Sequence, residues 1–256
     1  AFALPSLSFN SISLAETLRV AGADLAVEPL DDDTFVRELQ RTYENSGPGN
    51  SQAMAELGLR GTAYLEVFGP DPGQVEGSLA ALRSLMAHAA PYAAPLQRLG
   101  VSPHAPYSVS DALYRAVADW ARANGLPLAT HVAESDAEQA LVTEGSGAFA
   151  AFLGGRGIPV APRARTPVAL LGAAGVLGPE TLAIHCVRCD ADDVAMLRAT
   201  GTAVATCPAS NAYFGHGRAP IPAFRTAGIR VGIGTDSMAS KDRKSTRLNS
   251  SHITIS

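Results

Sequence analysis

Between residues 1 and 240 the chain has 16 arginines and no lysine; both lysines, Lys241 and Lys244, lie in the last 16 residues. That closing segment, KDRKSTRLNSSHITIS, in turn lacks the alanine and glycine that abound before it. The break in composition marks residues 241–256 as an artefactual addition, with a genuine solvated tail as the bland alternative. Without the segment, 16 basic residues face 23 acidic ones, a charge of −7 in place of −4 for the whole chain. Such a balance offers phosphate backbones no general field, and no local basic patch makes up for it, so nucleic acid is not an expected partner. Three cysteines cannot build a disulfide framework and suit a reducing, cytoplasmic compartment. No apolar run approaches the roughly 18 residues of a membrane span, which removes the bilayer as a partner. Residues 1–13 carry no basic n-region, so no signal peptide is expected. The G-x-S-x-G of serine hydrolases, the P-loop, and the H-x-E…P-C-x-x-C signature of the zinc deaminases that act on nucleic-acid bases are also absent.

What is present is an ordinary globular composition. Of the 256 residues, 46% are hydrophobic and 17% charged, and 24 Gly with 17 Pro are too few for a disordered or collagenous chain. The length allows one large domain or two small ones at roughly 150 residues per domain. Residues 1–50 are an uncertain N-terminal segment, with a helix conceivable over 11–20 and a short strand over 23–27. From residue 51 to 240 short apolar runs alternate with stretches of helical period, the pattern of βα units on a parallel sheet. Strands are predicted over 62–68, 99–103, 127–133, 181–187, 203–207 and 229–235. Helices are predicted over 74–90, 111–124, 137–143, 167–174, 191–200 and 221–226. The clearest of these, 111–124, has Ser110 as N-cap, Leu113, Val117, Trp120 and Ala121 on one face, and Gly125 as its stop. Residues 144–166, with Gly154-Gly155 and two prolines, form a long insertion, partly helical, placed to cover a site.

In a parallel barrel, catalytic groups gather where strands run into the βα loops. Four predicted strands end in polar residues: His104 in SPHAPYSVS, His131 and Glu134 in THVAES, His185 in IHCVRC, and Asp236 in GTDS. A lone histidine there is more often a core residue. Three histidines with two carboxylates, converging at one mouth, are what a Zn²⁺ or Fe²⁺ centre requires. Residues three apart on a strand face opposite ways, so the strand must end between His131 and Glu134 if both are to serve one site. Glu134, opening the loop, could then carry a proton from water to a leaving group; its bland alternative is a helix-capping carboxylate just before Asp136. Cys186 and Cys189 form a CxxC, but with Cys186 expected inside a strand and no second pair, packing explains them better than zinc does.

The ordered set HVAES at 131–135, IHCV at 184–187, CPASN at 207–211 and GTDS at 234–237 resembles the amidohydrolase superfamily. The likeness falls in the branch of adenosylhomocysteine/methylthioadenosine, aminofutalosine, guanine and cytosine deaminases and triazine chlorohydrolases, and covers about residues 55–240. The resemblance implies an α/β fold, a TIM-type (β/α)8 barrel, with the six strands as its third to eighth. It implies His131 and Asp236 as ligands of one divalent metal ion, zinc or iron, with Asp236 also taking a proton from the hydrolytic water. Glu134 matches the proton-shuttling glutamate. His185 matches a histidine that hydrogen-bonds substrate or hydroxide without binding metal. His104 matches a substrate-contacting histidine, against the alternative of a structural one. Asn211 matches the CPxSN asparagine, for which shaping the loop is as good a role as touching substrate.

One departure stands out. The superfamily draws two further ligands from a His-x-His pair on its first strand, and these 256 residues contain none: His88 is expected on a helix, His216 in a Gly-flanked loop, and His252 in the closing segment. The barrel is thus expected to be incomplete, a fragment open at its front and cut after the eighth strand, and inactive as it stands. Its parent is expected to hydrolyse non-peptide carbon–nitrogen bonds, deaminating a nitrogen heterocycle. The alternatives are dehalogenation or deamination of triazine-like substrates, and a metal-free remnant with a binding role only. The expected partner is a small-molecule substrate, with a homo-oligomer left open.

Overall fold

Parallel pairing in unbroken sequence order is the main feature of the computed structural model, which describes residues 51, 52, 55, 60–93, 97–234 and 236. The stretches at 11–20 and 23–27 and the segment from 241 lie outside the described residues. Six strands pair each with its successor: β1 (Gly61–Val67), β2 (Gln97–Pro103), β3 (Leu128–Val132), β4 (Thr181–His185), β5 (Ala203–Thr206) and β6 (Val231–Ile233). Helices return the chain between them: α1 (Val75–Ala89), α2 (Asp111–Ala123), α3 (Asp136–Glu144), α4 (Gly147–Gly154), α5 (Pro167–Ala173), α6 (Ala191–Thr200), α7 (Pro208–Tyr213) and α8 (Ile221–Thr226). This is an α/β fold and an arc of a (β/α)8 barrel.

The helices form where sequence chemistry places them. Ser110 accepts from the Leu113 amide to start α2, and Leu113, Tyr114, Val117, Ala118 and Ala121 are its buried stripe. Asp190 and Asp193 close a reciprocal capping box on α6, and Gly201 ends it in the left-handed conformation. One helix was expected only as an unspecified part of the partly helical insertion, and one was not anticipated. α4 lies inside the long insertion and is apolar nearly all round, so it carries no amphipathic signal; α7 is a single short stretch hidden in the CPASN motif. The last strand is also shorter than the predicted 229–235, and β4 stops at His185. Cys186 is therefore not inside a strand but in the turn that follows it, with φ 49°.

Alternation along the strands separates two cores. Leu65, Val67, Val101, Val132, Ala183 and Val204 point outward into the layer shared with the helices. Ala129, Leu182, Ala203 and Ala205, with Tyr64 and Ile184, fill the inside of the arc. Tyr64 fits there because its neighbour on β2 is Gly100, where a Cβ would lie 2.6 Å from the tyrosine ring and 2.9 Å from the Pro127 carbonyl oxygen. Tyr64 thus forms a floor, and the inward residues one step further along the strands stand above it.

Gly100→Ala should therefore force the Tyr64 ring off its seat. The expected cost is about 1–3 kcal/mol, read as a fall in Tm of about 3–10 °C for a domain of this size; calorimetry of the variant showing no change would contradict this packing.

Candidate active site

The sequence left His131 and Glu134 needing a strand end between them, and the structure supplies it. β3 stops at Val132, and Ala133 takes the left-handed φ of 52°. Alanine has no intrinsic reason to adopt that conformation, which costs on the order of 1 kcal/mol or more. A buried carboxylate enforces it: Glu138, in the first turn of α3, accepts the Ala133 amide on one oxygen and the Glu134 amide on the other, 2.8 Å each. Glu134 is swung over the same mouth as His131 and is no helix cap, that place being taken by Ser135.

His131 donates from Nδ1 to the His104 carbonyl at 3.1 Å, which leaves Nε2 as the nitrogen with a lone pair. The same carbonyl accepts the His131 amide at 2.8 Å, so backbone and ring are fixed together. His104 is buried, with Nδ1 2.7 Å from the Ser108 hydroxyl, and its ring lies 4.8 Å from that of His131. Burial, and then the neighbouring His131 and His185, hold the His104 imidazole well below its ordinary pKa.

His185 is buried and left-handed at φ 73°. Its Nδ1 meets Asn211 Oδ1 at 3.0 Å, and its Nε2 lies 3.5 Å from Glu134 Oε1. Asp236, also left-handed, accepts a hydrogen bond from Ser210 on Oδ2. One ligand atom from each of His131, His185 and Asp236 lies within 4.8 Å of the others. The five residues singled out in the sequence are thus brought to one end of the sheet. Two imidazoles and a carboxylate at that spacing fit a divalent transition metal, since the donors are nitrogen and oxygen and His131 is held in the tautomer a metal needs. Neither Cys186 nor Cys189 joins such a group among the described residues.

Several participants were missed. His216, set aside as a loop residue, brings Nε2 to 3.6 Å from Glu134 Oε1 because Gly215 and Gly217, both at positive φ, turn its loop inward. Nothing local in the sequence announces that approach. Ser210 and Glu138 act through Asp236 and Glu134 and carry no signal of their own. Glu66 was a further omission, and it did leave a trace. It stands two residues past Tyr64 on the inward face of β1, a lone carboxylate in an apolar strand, and groups with His104 and His131 within 4.8 Å. Burial pushes its carboxyl up; His131 opposes this and Asp236 adds to it.

The model of the amidohydrolase family matches residues 52–250. The chain is 36% identical over 207 residues to an aminodeoxyfutalosine deaminase of Deinococcus radiodurans, covering 76% of this chain and 49% of that protein. It is 36% identical over 148 residues to a 5-methylthioadenosine/S-adenosylhomocysteine deaminase of Syntrophobacter fumaroxidans, 58% of this chain and 30% of that one. The chain spans about half the length, or less, of these curated relatives. Two solved structures share the fold. One is the Helicobacter pylori aminofutalosine deaminase in complex with methylthio-coformycin, with TM-score 0.65 and 18% identity over 90% of this chain and 58% of that one. The other is an atrazine chlorohydrolase of Arthrobacter aurescens complexed with zinc, with TM-score 0.57 and 22% identity over 80% and 42%.

Glu138 gives the site a pH signature. Burial outweighs its two amide donors and lifts its pKa from 4.5 to about 8. Between those values the folded state holds more protons than the unfolded one, so stability falls as pH rises across that window and levels off above it. Urea unfolding at pH 5.5 and 8.5 should show the decline, and Glu138→Gln should flatten it; an unchanged slope in the variant would place the titration elsewhere.

Proposed function

Since residues 52–250 match its family model, the chain belongs to the amidohydrolase family, and on that premise we propose that it forms the catalytic barrel of a metal-dependent hydrolase acting on non-peptide carbon–nitrogen bonds. The reaction is hydrolytic deamination of a nitrogen heterocycle, a small-molecule substrate met in the cytoplasm. The observation that carries this reading is the mouth at which Glu134, His131, His185 and Asp236 meet at the ends of β3, β4 and β6. The names of the Deinococcus and Syntrophobacter relatives, both deaminases, support the same class.

His131 and Asp236 would hold the ion, zinc before iron on the precedent of the zinc-bound chlorohydrolase, with His185 beside them. Once bound, the ion supplies the Lewis acidity that makes water a competent nucleophile near neutral pH. The remaining work belongs to the side chains. Asp236, steadied by Ser210, accepts one proton of the attacking water. Glu134, aimed by the Ala133 turn and flanked at Oε1 by His185 and His216, delivers a proton to the departing nitrogen. Water oxygen joins the ring carbon, the carbon–nitrogen bond breaks, and ammonia leaves. His185 steers the oxygen that replaces it, and His104 lines the substrate's approach.

The test is ammonia release from 5′-methylthioadenosine, S-adenosylhomocysteine and aminodeoxyfutalosine, with chloride release from atrazine as the contrasting leaving group. Glu134→Gln should retain its metal and lose about 10²–10⁴-fold in kcat. Asp236→Asn should lose both metal and turnover. Release of neither product by the metal-loaded, full-length protein would defeat the proposal.

A further inference from the structure

Two imidazoles face one oxygen of the residue that moves the proton. His185 Nε2 stands 3.5 Å, and His216 Nε2 3.6 Å, from Glu134 Oε1. The functional reading gives His185 a task and leaves His216 with none, although several features of the fold bring it there. Gly215 and Gly217 flank it at φ 70° and 99°, left-handed conformations that a side chain resists. Its amide donates to the Asn211 carbonyl at 2.8 Å, and its ring stacks beside Phe214 with centroids 5.6 Å apart. Asn211 also meets His185 Nδ1 through Oδ1 at 3.0 Å, so one residue of α7 anchors both imidazoles. The hydrogens distinguish the two rings. Asn211 Oδ1 only accepts, so the neutral His185 ring carries its hydrogen on Nδ1 and presents a lone pair at Nε2. The Glu134 oxygen can hold one hydrogen at most, and two nitrogens face it. A matched set therefore needs a hydrogen on His216 Nε2, which donates to Oε1 whether that oxygen is ionised or itself donates to His185. The other oxygen, Glu134 Oε2, has no hydrogen-bonded partner among the described residues.

We propose that His216 is a positioning residue for Glu134: its Nε2 hydrogen holds Oε1, so that Oε2 is the oxygen that hands the proton to the departing nitrogen. This rests on the functional reading above and adds a residue to it. A carboxyl free to turn about its last bond presents either oxygen at any angle, and most of those angles lack the alignment that proton transfer needs. Held at one edge by an imidazole, it keeps one orientation. As the Oε2–H bond breaks, the hydrogen joins nitrogen, and the carbon–nitrogen electron pair leaves with that nitrogen as ammonia. Negative charge then gathers on a carboxylate that already faces an N–H donor. The 3.6 Å separation is longer than a closed hydrogen bond and shortens as that charge grows, so the contact is worth more in the transition state than before it. His185 is no substitute, because its ring hydrogen is committed to Asn211.

The experiment compares wild type with His216→Phe, which keeps a ring beside Phe214 but has no donor, and with His216→Gln, whose amide reaches the same place. All three are metal-loaded, full-length proteins assayed for ammonia release from the three substrates above. His216→Phe should lose about 10- to 100-fold in kcat, the scale of one charge-assisted hydrogen bond, with KM within about twofold. His216→Gln should recover most of that rate, and zinc per chain, by elemental analysis, should be the same in all three. A Phe variant as fast as wild type would overturn the proposal. So would a Gln variant as slow as the Phe one, which would make His216 a structural loop residue, or loss of zinc from either. A second readout needs no turnover. In wild-type protein labelled with nitrogen-15 histidine, the imidazole signals that vanish in His216→Gln should show a hydrogen on Nε2 at about pH 8, where an ordinary imidazole is neutral. A bare Nε2 would overturn the proposal. A wild type that releases no ammonia but carries that hydrogen would instead sink the deaminase reading and leave the hold of His216 on Glu134 standing.

Discussion

The pair of 2.8 Å hydrogen bonds from the Ala133 and Glu134 amides to the Glu138 carboxylate holds more of this site in place than any contact made by a reacting group. Those bonds force the left-handed turn at Ala133, which places Glu134 on the same side as His131. They also leave the carbonyls of Val132 and Ala133 aimed at the next strand end. Cys186 donates to the first, and Val187 and Arg188 donate to the second, so the loop behind His185 hangs from the end of β3. A buried carboxylate thus sets the relative positions of His131, Glu134 and His185. Its raised pKa is the energetic consequence of doing so without water.

A second support comes from the short helix α7. Ser210 grips Asp236, Asn211 meets the His185 ring, and the Asn211 carbonyl accepts the His216 amide at 2.8 Å. Six residues of helix therefore hold two side chains and the backbone of a third site residue. This is a physical account of the CPASN motif: its Ser and Asn position other residues, and Pro208 at the start of the helix supplies a backbone already set for that turn.

The insertion between β3 and β4 closes against the same end of the sheet. Leu141, Phe149 and Leu153 form a small core of their own, and Phe149 stacks on Tyr107 at 4.2 Å, whose ring edge meets His104. Arg163 then ties the insertion to the loop after β2 through Asp111 and the Pro106 and Val109 carbonyls. The aromatic row from Phe149 to His104 keeps that side of the site apolar, in keeping with the depressed basicity of the His104 ring.

Six strands, six of the helices and the strand-end positions of His104, His131, His185 and Asp236 were legible in the sequence, because periodicity, caps and turns are local and strand ends advertise themselves by a change from apolar to polar. The bounds of α4 within the insertion were hidden by its uniform apolarity, and α7 by its brevity. The chemistry of the strand ends, and with it the family, was decided by residue type and order alone. The tertiary structure decided the rest. It brought His216 to Glu134 across two glycine turns, set Glu66 above Tyr64 facing two histidines, and buried Glu138 under the turn it shapes. The Glu138 contact is local, spanning four and five residues; the other two depend on which strands are neighbours and in what register, and register is settled only when the sheet closes over its floor.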